Sequence, residues 1–145
     1  MQTHIRDSLI AHTAAVNVAE PYQFIPPRKS PLVSSVLKPF LPRYLRKSWG
    51  IVDHEIRGAD KLSASLVAGH GVVLAPNHVR ECDAITVGLL AVECRCHFNF
   101  MASWHVFKSS QLQSFMLRQV GAFSMHREGM DKTSLNTAIE ILNEA

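Results

Sequence analysis

From residue 51 to the last residue, strand-like runs and helix-periodic segments take turns along the chain. "IVDHEIRG" (51–58) alternates apolar and polar positions as a half-buried strand does, and Gly58 closes it. "ADKLSASLVAGH" (59–70) sets Leu62, Leu66 and Val67 at helical spacing, with Gly69 as the stop. "GVVLAPN" (71–77) is a short apolar run bounded by Gly71 and Pro76, the pattern of a buried strand. "DAITVGLLAVE" (83–93) reads as a helix with Asp83 near its start, and "HFNFMAS" (97–103) as a strand. "QLQSFMLRQV" (111–120) places Leu112, Phe115 and Met116 on one helical face, and "GAFSMHR" (121–127) is strand again. "DKTSLNTAIEILNEA" (131–145) carries the helical stripe Leu135, Ile139 and Leu142. This order specifies an α/β fold, a mixed, largely parallel sheet covered by helices.

The first third of the chain is different. Six of the seven prolines fall between Pro21 and Pro42, and none follows Pro76. Residues 21–50 therefore read as an extended lead-in broken by short helical turns. Residues 1–20 are weakly patterned, with a short helix around "DSLIAHTAAVNVAE". The division that follows is an arm over 1–50 and a compact unit over 51–145. The arm is basic: Arg28, Lys29, Lys38, Arg43, Arg46 and Lys47 have no acidic residue among them, although the whole chain carries only +3. Leu32, Val33, Val36, Leu37, Phe40, Leu41, Tyr44, Leu45 and Trp49 are interleaved with these cations. Such a mixture suits the interface of an anionic membrane, or else a packing arm with solvated charges. No aromatic-stacking or helix-turn-helix signature accompanies it, so nucleic acid is not expected as a partner.

Three cysteines, Cys82, Cys94 and Cys96, match no zinc-finger spacing, and no second pair follows "CRCH" (94–97) to complete a site. Reduced thiols in a cytoplasmic protein are the expectation, and no metal. The first twenty residues lack a continuous apolar stretch between a basic start and a cleavage site, so no signal peptide is expected. The longest apolar segment, "AITVGLLAV" (84–92), is too short to span a bilayer, which leaves peripheral contact as the expected mode.

"APNHVRECD" (75–83) carries the clearest chemistry, with His78 after an apolar run and Asp83 at the start of the next helix. In open α/β sheets, functional groups gather where strands end and helices begin. A neutral imidazole there can take a proton from an attacking hydroxyl, and does so best when a carboxylate holds its second nitrogen. The other reading is that Asp83 only caps the helix and His78 is a turn residue. Spacing does not decide between them, because His126 and Asp131 repeat it in "HREGMD" (126–131).

Context adds to the spacing. "GVVLAPNHVRECDAITVGLL" (71–90) resembles the first motif of the glycerolipid, or lysophospholipid, acyltransferase family: a strand into Asn-His, four residues, Asp, then an apolar helix. "HFNFMASWHVFKSSQLQSFMLRQVGAFSMHR" (97–127) is similar to the family's next stretch, which ends in a strand and an arginine. The resemblance covers roughly residues 50–145 and implies a glycerol-phosphate acyltransferase-like fold. It implies His78 as general base for the acceptor hydroxyl, Asp83 as its orienting partner, and Arg127 as a ligand of the acceptor's phosphate. Arg80 stands where the family often has a small hydroxyl residue, and could add a phosphate contact or face solvent. The implied co-substrates are acyl-CoA or acyl-carrier protein with a lysophospholipid or glycerol phosphate. No bound cofactor is implied, and the implied place is the cytoplasmic side of a membrane.

The family's third motif, Glu-Gly with a following arginine, is not found before Ala145. The expectation is therefore the N-terminal portion of a longer enzyme, with "GAFSMHR" left without a downstream strand partner. Two other readings follow from the same residues: an inactive relative that keeps membrane or partner binding, and a metal-dependent hydrolase using His78, Glu81 and Asp83. A Cys82 nucleophile has no dedicated base beside it other than His78.

Overall fold

The computed structural model describes residues 21–28 and 30–144; the helix expected within residues 7–20 lies outside them. In chain order its elements are α1 (Pro31–Leu37), a 3-10 turn (Lys38–Phe40), α2 (Leu41–Trp49), α3 (Ala59–Val67), α4 (Asp83–Glu93), β1 (Phe100–Ser103), α5 (Trp104–Lys108), α6 (Gln111–Gln119), β2 (Ala122–Met125) and α7 (Lys132–Asn143). Among the described residues the sheet is the parallel pair β1–β2, in register from Phe100 opposite Ala122 to Ser103 opposite Met125. Helices α5 and α6 form the crossover that a parallel connection requires. The mixed α/β class holds, and the sheet is smaller than expected.

The two strands expected upstream do not form. Residues 51–57 and 71–77 have no regular structure, and no backbone hydrogen bond joins either run to another strand among the described residues. In 51–57, Ile51 and Ile56 turn inward and the residues between them stay exposed. In 71–77 the apolar run faces solvent, with Val73 72% exposed. Apolar sequence makes a segment fit a sheet, but only a partner's N–H and C=O groups make it a strand. Gly71 does have a packing role: a Cβ there would stand 2.5 Å from the Leu142 carbonyl oxygen of α7.

The lead-in is more helical than expected. Residues 21–28 are extended, but 31–49 is nearly continuous helix. A proline stands in the first turn of α1, of the 3-10 turn and of α2, where its missing N–H would have had no intrahelical partner. Ser30 caps α1 by accepting the Val33 N–H at 3.4 Å. The C-terminal stop of α3 is the expected one: Gly69 N–H bonds Leu66 O and His70 N–H bonds Ser65 O, a Schellman closure.

The buried residues fall in two places. Leu45 of α2 (1% exposed) meets Cys82 and Leu89, with Leu41, Ile51, Ile56 and Ile85 packed around them. Trp104, Phe107, Ala122 and Phe123 are buried at and beside the strands. Tight passage before β2 needs glycine: Gly121 has φ +87, and a Cβ there would stand 2.7 Å from Asn99 Oδ1.

The outer edge of β2 is not bare. Ser124 N–H donates to Ile25 O at 3.0 Å, and Ile25 N–H donates to Ser124 Oγ at 2.8 Å. Arg28 and Ser30 continue the contact by donating to Arg118 O and Gln119 O at the end of α6. The lead-in therefore occupies the side expected to lack a partner. The helical stripes are less buried than their spacing implied. Leu112 and Phe115 are exposed and Met116 is half-buried, while α7 leaves Leu135 and Ile139 outside and buries Ser134.

Candidate active site

His78 and Asp83 meet at the turn entering α4. His78 Nδ1 lies 3.3 Å from Asp83 Oδ2, with the histidine side chain 64% exposed and the aspartate 21%. Oδ2 also accepts the backbone N–H groups of Val79 and Arg80, both at 2.7 Å. Asp83 is the first residue of α4, and its carboxylate turns back onto residues 78–80. It is not the simple helix cap of the alternative reading, whose carboxylate would accept from inside the helix. The Arg80 N–H bond is the largest influence holding its carboxyl below the usual range. The Val79 and His78 contacts add to it, against the upward pull of desolvation. Because 71–77 is no strand, His78 stands in a loop rather than at a sheet rim. What positions it is the carboxylate, the two N–H bonds and Cys82, buried next to Asp83 against Leu45 and Leu89.

Arg80 and Arg127 are both exposed. Neither guanidinium has a hydrogen-bond or ion-pair partner among the described residues. Arg127 follows β2 and borders a cleft of about 250 Å³ with Pro21, Tyr22, Trp104, His105, His126 and Glu128. His78 and Asp83 are not in its lining. The structure thus brings the first pair together and places Arg127 at a separate cleft.

That cleft follows from the topology. Ser103 and Met125 are opposite each other at the ends of β1 and β2. The residues that come next, Trp104–His105 and His126–Arg127, emerge at the same carboxyl edge, where open α/β sheets collect functional groups. Sequence reading singled out Arg127 but not Tyr22 or His105, and named His126 only for its spacing from Asp131. The available signal was a histidine within two residues of the end of each strand, in "SWH" and "MHR", which only the parallel register turns into neighbours.

Asp131 caps α7, with Oδ1 accepting the Ser134 N–H at 3.0 Å. Its Oδ2 accepts the His126 N–H at 2.9 Å and the Tyr22 hydroxyl at 2.6 Å. Among the described residues, no three His, Cys, Asp or Glu side chains converge as metal ligands. His78, Glu81 and Asp83 do not form such a group, and all three cysteines are free thiols. No described helix is long and apolar enough to cross a membrane.

No curated protein and no solved structure matches the chain. A family model described as Acyltransferase matches residues 53–145, well over half of the sequence and including both His78–Asp83 and Arg127. With the motif order read from the sequence and the mixed helix–strand architecture, that match places the chain in the acyltransferase family.

Proposed function

We propose that the protein moves a fatty acyl group from an acyl thioester, acyl-CoA or acyl-carrier protein, to the hydroxyl of a lysophospholipid or glycerol phosphate. The observation that carries this reading is the His78 Nδ1 to Asp83 Oδ2 contact, on a carboxylate fixed by two backbone donors. With its proton on Nδ1 and directed at Asp83, the imidazole has Nε2 free to accept. Nε2 takes the acceptor hydroxyl's proton as that oxygen attacks the thioester carbonyl carbon. The C–S bond then breaks, and the departing thiolate recovers the proton from the imidazolium. Asp83 stabilises that imidazolium and fixes the ring. Arg127 suits the acceptor's phosphate, because its planar fork donates two parallel bonds to phosphate oxygens and has no other described partner. Arg80, exposed beside the catalytic turn, is a second phosphate contact in this reading.

A lipid acceptor calls for a membrane surface. Leu32, Val36, Phe40 and Tyr44 are exposed four residues apart along α1, the 3-10 turn and α2, with Arg43, Arg46 and Lys47 exposed beside them. This face supports peripheral docking on the cytoplasmic, anionic side of a membrane.

The test is acyl transfer to glycerol 3-phosphate and to lysophosphatidate by wild type, His78→Ala and His126→Ala. His78→Ala should lower turnover at least a hundredfold, the range for loss of a general base, and His126→Ala far less. Equal effects of the two would overturn the assignment. No turnover in the wild type, with vesicle binding kept, would make the chain a binding relative.

A further inference from the structure

The reading of Arg127 as a phosphate ligand leaves open what holds it in place. Arg127 sits on the turn from His126 to Met130, which has no regular structure and is exposed from Arg127 onward. An exposed arginine on a free turn binds weakly, because its ordering entropy is lost on binding. Here the turn is tied at its base. Asp131 accepts the His126 N–H and so closes the turn, while its other oxygen starts α7. The remaining donor comes from outside the turn: the Tyr22 hydroxyl, at 2.6 Å. The Tyr22 ring stacks on the His126 ring at 4.8 Å and 24°, and meets Trp104 edge-on at 5.7 Å and 87°. Its hydroxyl is also 3.2 Å from Ser124 Oγ, which fixes it to β2. Tyr22 thus touches both strand-end segments that shape the cleft, one through Trp104 and the other through His126 and Asp131.

We propose that Tyr22, thirty-one residues upstream of the family match, is a positioning residue of the acceptor site. It holds the 126–131 turn so that Arg127 meets the acceptor's phosphate at the carboxyl edge of the strand pair. The inference rests on the phosphate reading of Arg127 and extends the site into the N-terminal segment. A tyrosine suits the role better than a phenylalanine, because its hydroxyl makes a short bond to a charged carboxylate while its ring supports His126. Burial, then the Asp131 contact, raises the Tyr22 phenol, which keeps the hydroxyl protonated as a donor.

Trp104 provides a direct probe. The chain has two tryptophans, so Trp49→Phe leaves Trp104, in the cleft wall, as the sole indole reporter. In that background, glycerol 3-phosphate should give a saturable fluorescence change and glycerol none. Tyr22→Phe should raise the dissociation constant roughly three- to tenfold, the range for the net loss of one ordinary hydrogen bond, since the hydroxyl acts on the ligand only through the turn. Tyr22→Ala should raise it further, and Arg127→Ala should abolish binding. If Arg127→Ala abolishes binding while both Tyr22 variants bind like their parent, Tyr22 is no positioning residue and the phosphate reading stands. If Arg127→Ala binds normally, or the parent does not bind, the phosphate reading fails and this inference falls with it. Should Tyr22→Ala not fold, Tyr22→Phe decides. A lowered melting temperature with an unchanged dissociation constant at 25 °C would mark a purely structural role and overturn the proposal.

Discussion

Asp83 and Asp131 show how one residue type at one spacing takes two roles. Each follows a histidine by five positions and draws backbone N–H groups onto its carboxylate. The difference lies in the ring. His78 aims Nδ1 at Asp83, whereas His126 offers Asp131 its backbone N–H and stacks its ring on Tyr22. Both carboxyls lie below their ordinary value of 3.8. For Asp131 burial pulls upward, and the bonds from Tyr22, Ser134 and His126 outweigh it. A carboxyl depressed in the folded state contributes stability above its unfolded value, and that contribution is lost as pH falls through the folded value. Both contributions should thus be intact above pH 3.8 and disappear progressively below it. Carboxyl-carbon NMR titration checks this: both midpoints should fall below 3.8, and a midpoint at or above it for either residue contradicts the geometry.

At the scale of elements, α2 supports α4. Leu45 comes from the proline-rich segment but fills the space beside Cys82 and Leu89, immediately under the turn that holds Asp83. Leu45→Ala should cost about 2–4 kcal/mol, the range for a buried leucine whose surroundings only partly close. Leu32, on α1 and 80% exposed, should cost less than about 0.5 kcal/mol on the same change. Denaturant midpoints at constant slope would measure both, and equal costs would mean that α2 does not anchor α4. The same helices explain why prolines were misleading as breakers. Pro31, Pro39 and Pro42 each open a helical segment, so they divide the stretch without unwinding it.

For the whole molecule, the proposed membrane docking rests on the exposed apolar and basic residues of α1, the 3-10 turn and α2. Binding to vesicles containing anionic lipid should weaken as salt rises from about 0.05 to 0.5 M, since screening shortens the reach of each charge. Neutralising Arg43, Arg46 and Lys47 together should remove most of it, at roughly 1 kcal/mol per cation near the surface. Co-sedimentation is the measurement. Binding indifferent to both salt and substitution would leave α1 and α2 as packing elements only.

Periodicity and end signals determined most of the local structure. The helices over 59–67, 83–93, 111–119 and 132–143, the strands within 97–103 and 121–127 and the Gly69 stop were all legible, because each depends on neighbours within a few residues. The His78–Asp83 contact was one of two readings the sequence left open, and only the structure separates it from His126 and Asp131, which share the spacing but pair through the backbone N–H. Tertiary structure decided what depended on distant partners. Residues 51–57 and 71–77 carry strand-like patterns but found no ladder, and residues 22–25 of the lead-in lie along β2. Tyr22 reaches Asp131 across 109 positions. Local sequence sets which conformations a segment favours; hydrogen-bond partners and a shared strand edge are supplied by the rest of the chain, and these alone placed Tyr22, Trp104, His105 and Arg127 around one cleft.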